Sequence, residues 1–408
     1  MNRTSSFLNK SRRVAEMNLL VISHTPHYLL NGEISGWGST VREIDQLATL
    51  FGEVVHLAPL HSESAPHSSL PYSQENIQFV AVKPAGGNRI IDKASILWRT
   101  PSWLAAMKRE MLKADVIHIR CPAGISLVAL LAQRLWGKGK PCWVKYAGNW
   151  KPLKREPLSY RFQRFWIGKN CHHGVATVNG DWVDQLDHIL SFNNPSFSRS
   201  ELYQARLTSV DKKISAPLEL LFVGRVEIEK GVGRVIQIAA GLLQRGSDFH
   251  INIIGDGPNR KAYEQVASEH GLAGRIDFLG WKKRLEINDY YREAHLVLLP
   301  SSSEGWPKVL SEAMAYGVVP LASTTSSIPL ILSRAQTGQA IPADDIDSYV
   351  DAIISYTENH ARWKIESTNG LAMTDSFTYE HYLSDVKKLF NKTWNINLEK
   401  PTNAACKI

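Results

Sequence analysis

The chain has 408 residues, 44% hydrophobic and 21% charged, with a formal net charge of +8. A prior of roughly 150 residues per domain gives two or three domains. The composition excludes a disordered chain, and no run reaches the ~18 consecutive apolar residues of a membrane-spanning helix.

Residues 1–16 are polar where a secretory signal needs an apolar stretch, so they read as a flexible tail on a cytoplasmic protein. From residue 17, short β-rich runs alternate with helical patterns, which points to parallel sheets built from βαβ units. The first half reads as strand NLLVIS (18–23), a glycine loop LLNGEISGWGS, then a helix with Val41, Ile44, Leu47, Ala48 and Phe51 on one face. Strands VVHLAPL (54–60), IQFVAV (77–82) and DVIHIR (115–120), helix 125–136, and strands CWVKYAG (142–148) and GVATVN (174–179) follow. Asn, Pro, Ser and Lys dominate residues 192–216, which read as a linker. The alternation restarts with strands at 218–224, 249–255, 276–280, 296–300 and 318–323, and residues 379–394 read as a last amphipathic helix. The expected domains are 17–200 and 201–378, both doubly wound and Rossmann-like, followed by a C-terminal segment at 379–408. Such a pair leaves a central cleft where ligands meet the carboxyl ends of the strands. The four cysteines form no CxxC pair, which points away from a zinc site and a disulfide framework.

The strand-to-helix junctions of the second half carry the chemistry. In FVGRVEIEKGVGRV the strand ends at Gly224 and a helix opens near Gly231, with Arg225 and Lys230 placed to neutralise a pyrophosphate. IIGDGPNR is a glycine turn that serves either a ligand or only the turn. In PSSSEGWPKVLSEAMAYGVVPLAS a loop of Ser301 to Gly305 precedes a helix, with Pro307 in its first turn. Glu304 and Glu312 lie eight residues apart, a reach that suits a sugar and a ribose flanking a diphosphate. Two acids at a helix start are also what the helix dipole favours by itself.

GRVEIEKG, IIGDGPNR, DFLGW and SEGWPKVLSEAMAYGVVPLAS together resemble the retaining glycosyltransferases of family 4, the glycosyl transferases group 1. The resemblance covers residues 218–325 and implies the GT-B fold, with 379–408 packing back on the first domain, a nucleotide-diphosphate sugar as donor and no metal or other cofactor. It implies that Arg225 and Lys230 hold the diphosphate and stabilise the leaving charge, and that Glu304 contacts the sugar; these three are the candidate catalytic residues. Backbone N–H groups from Gly305 to Lys308 assist, Glu312 takes the ribose, and Gly280 and Trp281 lie near the base. Gly224, Trp306, Pro307 and Val309 complete the donor side. On the acceptor side the resemblance implies Gly36 and Gly38 in the glycine loop, and it matches His118 to a family position. His118 reads either as a core or cleft-edge histidine or as an acceptor-side one. Where relatives carry a histidine after the fifth strand, this chain has Ala147, Gly148 and Asn149. Asn149 or a backbone carbonyl takes that place, or the acceptor is held differently. The Asp345–Asp347 triplet reads as a helix cap.

The charge is local. Ten Lys or Arg and one acid, Glu156, lie between Arg134 and Lys169. In residues 149–170 the cations mix with Trp150, Tyr160, Phe162, Phe165 and Trp166. An anionic membrane surface is one partner for such a segment, on the inner face of the cytoplasmic membrane, and a core-facing helix with a solvated basic face is the other reading. No nucleic-acid module is recognisable. The expected function is transfer of a sugar to a glycan or lipid-linked acceptor of surface polysaccharide or lipopolysaccharide synthesis. The alternatives are another GT-B enzyme, such as a nucleotide-sugar epimerase, and a non-catalytic nucleotide-sugar-binding subunit.

Overall fold

The computed structural model describes residues 17–86, 90–152 and 156–398, so the expected tail at 1–16 and the end of the last segment lie outside the described residues. The chain divides into two compact units. One comprises residues 1–178, 182–192 and 383–408, the other 179–181 and 193–382.

The first unit runs β1 (Asn18–Ile22), β2 (His27–Leu30), β3 (Glu33–Trp37), α1 (Gly38–Ala48), β4 (Glu53–Pro59), β5 (Ser69–Pro71) and β6 (Ile77–Val82). It continues with α2 (Ile90–Lys113), β7 (Val116–Cys121), α3 (Gly124–Trp136), β8 (Cys142–Tyr146), α4 (Leu158–Gly168), β9 (Val175–Val178) and β10 (Ile189–Ser191). Seven strands form a parallel sheet in the order β10-β9-β8-β7-β1-β4-β6. Near-continuous apolar runs suit strands that helices cover on both faces. The expected glycine loop is instead a hairpin: β2 and β3 pair antiparallel, and β5 adds to β3. Its turn is Asn31–Gly32, at φ 51° and 86°, the left-handed pair that closes a two-residue hairpin.

The second unit holds α5 (Arg199–Ser209), β11 (Leu218–Val223), α6 (Val232–Gln244), β12 (Phe249–Ile254), α7 (Arg260–Glu269), β13 (Ile276–Gly280) and α8 (Arg284–Glu293). Then come β14 (Leu296–Leu299), α9 (Lys308–Ala315), β15 (Val319–Ser323), α10 (Ile328–Ala335), β16 (Gln339–Ile341), α11 (Ile346–Glu358) and α12 (His360–Met373). Its six strands form a parallel sheet ordered β13-β12-β11-β14-β15-β16.

Two boundaries differ from expectation. The expected linker contains α5, opened by a capping box in which Ser198 and Glu201 satisfy each other's backbone N–H groups. Arg206 fixes that helix to Leu371, Thr374 and Asp375, so the division falls after Phe192 and not at 200. The last helix, α13 (Tyr379–Trp394), begins in the second unit, where Tyr379 N donates to Phe197 O at 2.9 Å. From Leu383 it belongs to the first unit, where Phe390 packs edge-on against Phe51 and Trp143.

Candidate functional site

The carboxyl ends of β11, β12 and β14 bring three loops together, and glycine makes the approach possible. Gly231, the N-cap of α6, has φ 85°, and a Cβ there would lie 2.2 Å from Pro300 O. A Cβ on Gly255 would fall 1.8 Å from Gly224 O, and one on Gly257 would fall 2.4 Å from Val226 O. IIGDGPNR is therefore a close-packing turn, where only the missing side chain lets two backbones touch.

The loops are then stitched. Ser302 N donates to Glu229 O at 2.8 Å, Arg234 Nη1 to Pro300 O at 3.2 Å, and Ser327 Oγ to Gly305 O at 3.1 Å. On this frame Lys230 Nζ meets Glu304 Oε1 at 2.7 Å, with the carboxylate side chain 9% exposed and the lysine 30%. A half-buried ammonium on a nearly buried carboxylate is a preformed pair that an incoming phosphate or sugar hydroxyl can share. Arg225 is not part of this pair. Its guanidinium lies 2.6 Å from Glu227 Oε1 and is 73% exposed.

Pro307 caps α9, as its fixed φ allows. Trp306 turns away from solvent and stacks on Phe377 at 5.3 Å and 7°, so its side chain anchors the loop in the core. Val309 packs against the same core. Glu312 is held by two groups that sequence reasoning missed: Arg284 Nη1 at 2.7 Å and Tyr291 OH at 3.2 Å. Arg284 also donates to Ser196 O at 2.8 Å. Its only sequence signal is the basic run Lys282, Lys283, Arg284 after Trp281, which does not single it out. Gly280 sits at φ 69° with its carbonyl accepting from Gly255 N, and Trp281 is 38% exposed. The donor-side candidates all lie in the second unit, and two of them, Glu304 and Glu312, are carboxylates held by side-chain partners.

The acceptor-side candidates lie in the first unit and are more enclosed. The Gly38 N–H donates to Ser68 O at 2.9 Å, which fixes the start of α1. A Cβ on Gly36 would lie 2.4 Å from His27 Nε2, so this glycine makes room for an imidazole. His118 is fully buried, its Nδ1 3.0 Å from Trp143 O and its ring 3.9 Å from the indole. Burial lowers its pKa to about 3, with the Arg120 charge adding to the effect. Its side chain lies in the core of the first unit. Asn149 Oδ1 accepts from Lys151 N at 3.1 Å and shapes the loop after β8.

Beneath that loop Glu43 of α1 accepts from Arg120 of β7 and Lys145 of β8, each at 2.7 Å. Lys145, counted in the basic stretch, is therefore a buried partner, and burial lowers its pKa to about 8 against the pull of Glu43. Among the described residues no three His, Cys, Asp or Glu side chains converge as a metal site. Asp345 caps α11, accepting from Ser348 N at 3.2 Å.

The family model described as glycosyl transferases group 1 matches residues 208–369. A Klebsiella pneumoniae protein described as an uncharacterised 41.2 kDa protein in the cps region is 29% identical over 60% of this chain and 70% of its own length. The Erwinia amylovora amylovoran biosynthesis glycosyltransferase AmsK is 30% identical, with 36% of this chain and 37% of that protein aligned. The crystal structure of Anabaena HepE in complex with UDP-glucose superposes with a TM-score of 0.65 at 14% identity, covering 92% of this chain and 100% of that one. The chain has the GT-B fold, and the part of it from residue 208 to residue 369 is similar to the glycosyl transferases group 1.

Proposed function

We propose that the protein moves a sugar, with retention of anomeric configuration, from a nucleotide-diphosphate sugar to a glycan or lipid-linked acceptor of surface polysaccharide synthesis. The observation that carries this reading is the Lys230–Glu304 pair, fixed where two strand-to-helix loops touch, with Glu312 further along α9. Glu304 would exchange its lysine for sugar hydroxyls, freeing the ammonium for the diphosphate. Arg225, exposed and held only by its neighbour Glu227, would swing onto the same phosphates, where two cations stabilise the leaving charge. Glu312 would take the ribose hydroxyls. The departing diphosphate oxygen would accept the acceptor's proton, so the reaction needs neither a side-chain nucleophile nor a metal.

The descriptions of relatives support the context: one is an amylovoran biosynthesis glycosyltransferase, and one is a protein of a cps region. HepE was solved with UDP-glucose, which makes UDP-sugars the first donors to test. Residues 149–170 are proposed to face the membrane that carries a lipid-linked acceptor, making the enzyme peripheral on its cytoplasmic side.

Proton NMR of the chain with UDP-sugars tests both parts of the reading. An α-linked donor should release sugar first as the α anomer, or pass it on with an α linkage. Release of the β anomer would overturn retention, and no turnover with any nucleotide sugar would overturn the enzymatic reading.

A further inference from the structure

Helices that cover a parallel sheet ordinarily turn polar residues of both charge signs outward. Three helices of the first unit do not. The steps β6 to β7, β7 to β8 and β8 to β9 all run the same way along the sheet, so right-handed crossovers put α2, α3 and α4 on one side of it. Contacts of α3 with both α2 and α4 place it between them.

Their outer surface is apolar at helical spacing. Trp98 is 84% exposed and Leu97 76% on α2, Leu131 and Leu135 are exposed on α3, and Leu158, Phe162 and Phe165 on α4. The register of α4 is set from its other face. Gln163 is buried and bonded to both the N–H and the carbonyl of Ala123, at 3.2 and 3.0 Å, and Ile167 follows one turn on. The stripe Leu158–Phe162–Phe165 is thereby held outward.

The charges around it have one sign. Lys108, Arg109, Lys113, Arg134, Lys138, Arg161 and Lys169 are exposed on or beside these helices. Among the described side chains of α2, α3 and α4 the one carboxylate is Glu110, buried under Arg109 and Lys113. Glu156, just before α4, is occupied by Arg164. Two cations of the basic stretch do not contribute: Lys145 is buried on Glu43, and Lys140 caps α2 through the carbonyls of Met111, Leu112 and Ala114.

We infer that the outer face of α2, α3 and α4 docks on an anionic lipid bilayer. Tryptophan, phenylalanine and leucine enter the boundary between headgroups and acyl chains, while the lysines and arginines meet the headgroup phosphates. A nucleic acid would use the cations and leave seven large apolar side chains in water. A second copy of the chain would set cation against cation. The inference deepens the acceptor reading above, and rests on it for its purpose: a face of this kind brings the enzyme to an acceptor carried on lipid.

Vesicle flotation of the full chain tests it, with donor binding followed in parallel by UDP thermal shift so that the two readings fail separately. The chain should float with equimolar phosphatidylcholine and phosphatidylglycerol and not with phosphatidylcholine alone. The paired substitutions Trp98→Ser with Phe165→Ser, and Lys108→Glu with Arg161→Glu, should each cut partitioning by more than about tenfold. All four side chains are exposed, so melting temperature and the UDP shift should not move. No binding to anionic vesicles at low salt would overturn the inference, as would binding that both pairs leave intact. Self-association or RNA binding lost with the same substitutions, in a chain that does not float, would assign the face elsewhere and overturn it too.

Discussion

In the second unit the ends of β11, β12 and β14 meet through main-chain atoms, with Gly231, Gly255 and Gly257 standing where a Cβ would strike a carbonyl. In the first unit the loops and strand ends around β1, β4, β7 and β8 meet through side chains that titrate. Thr25 O can only accept, so His27 carries its proton on Nδ1 and accepts from Tyr72 OH through Nε2 at 2.7 Å. His56 then donates from Nδ1 to Tyr72 and accepts from Ser23 Oγ at 2.8 Å. One backbone carbonyl thus sets the tautomers of a whole buried chain. A site held by backbone contact depends on residue shape, whereas a core held by neutral imidazoles and an ion trio depends on protonation.

The shape-dependent half breaks hardest. Gly231→Ala puts a Cβ against Pro300 O in a left-handed conformation. We expect a loss of about 3 kcal/mol or more, because strained backbone and steric overlap add. Urea denaturation should show it, and UDP binding should vanish with it. A variant as stable as the parent would contradict the packing described.

The protonation-dependent half breaks with acid. Burial lowers His27 and His172 to about 4 and His118 to about 3, and holds His56 well below the ordinary imidazole range; all four lie in the first unit. Their folded pKa values lie below the unfolded one, so the stability they contribute is complete above pH ~6.5 and is lost as pH falls toward 4. One such histidine accounts for roughly 3 kcal/mol over that range. The second unit has His295 lowered to about 4. Hydrogen exchange, corrected for its intrinsic pH dependence, should show β1, β4 and β7 losing protection before β11, β12 and β14. The reverse order would break the comparison.

The smallest expected effect sharpens it. Arg284→Ala removes the fork that aims Glu312 while Tyr291 remains. Nucleotide affinity should fall about tenfold, roughly 1.4 kcal/mol. The preference for UDP over its 2′,3′-dideoxy form should fall with it. Unchanged discrimination by the variant would remove Arg284 from the ribose side.

The same contrast governs what the sequence revealed. Lys230 and Glu304 were legible because one local motif on each of two loops carries them, and parallel βαβ order brings the loops together. Glu312 was legible, but Arg284 was not: its contact depends on where α8 lies beside α9, and three cations in a row hide which one turns inward. The hairpin at Asn31–Gly32 and the Ser198–Glu201 box carried ordinary local signals that a reading for glycine loops and linkers passed over. α2 was hidden by Pro101, which lies inside a helix that continues past it. In the first unit, His118 could not be assigned from spacing, since a strand histidine faces core or ligand according to what the neighbouring strand offers. Here Trp143 O and its indole keep it inside.

The most direct measurement is calorimetric titration of UDP, GDP and ADP into the full chain and into Glu312→Ala. One nucleotide should bind at one site per chain, with affinity at least about tenfold weaker in the variant, as expected for a lost charged hydrogen-bond acceptor. No binding by any of the three, or binding that the substitution leaves unchanged, would contradict a donor site built on α9 of the second unit.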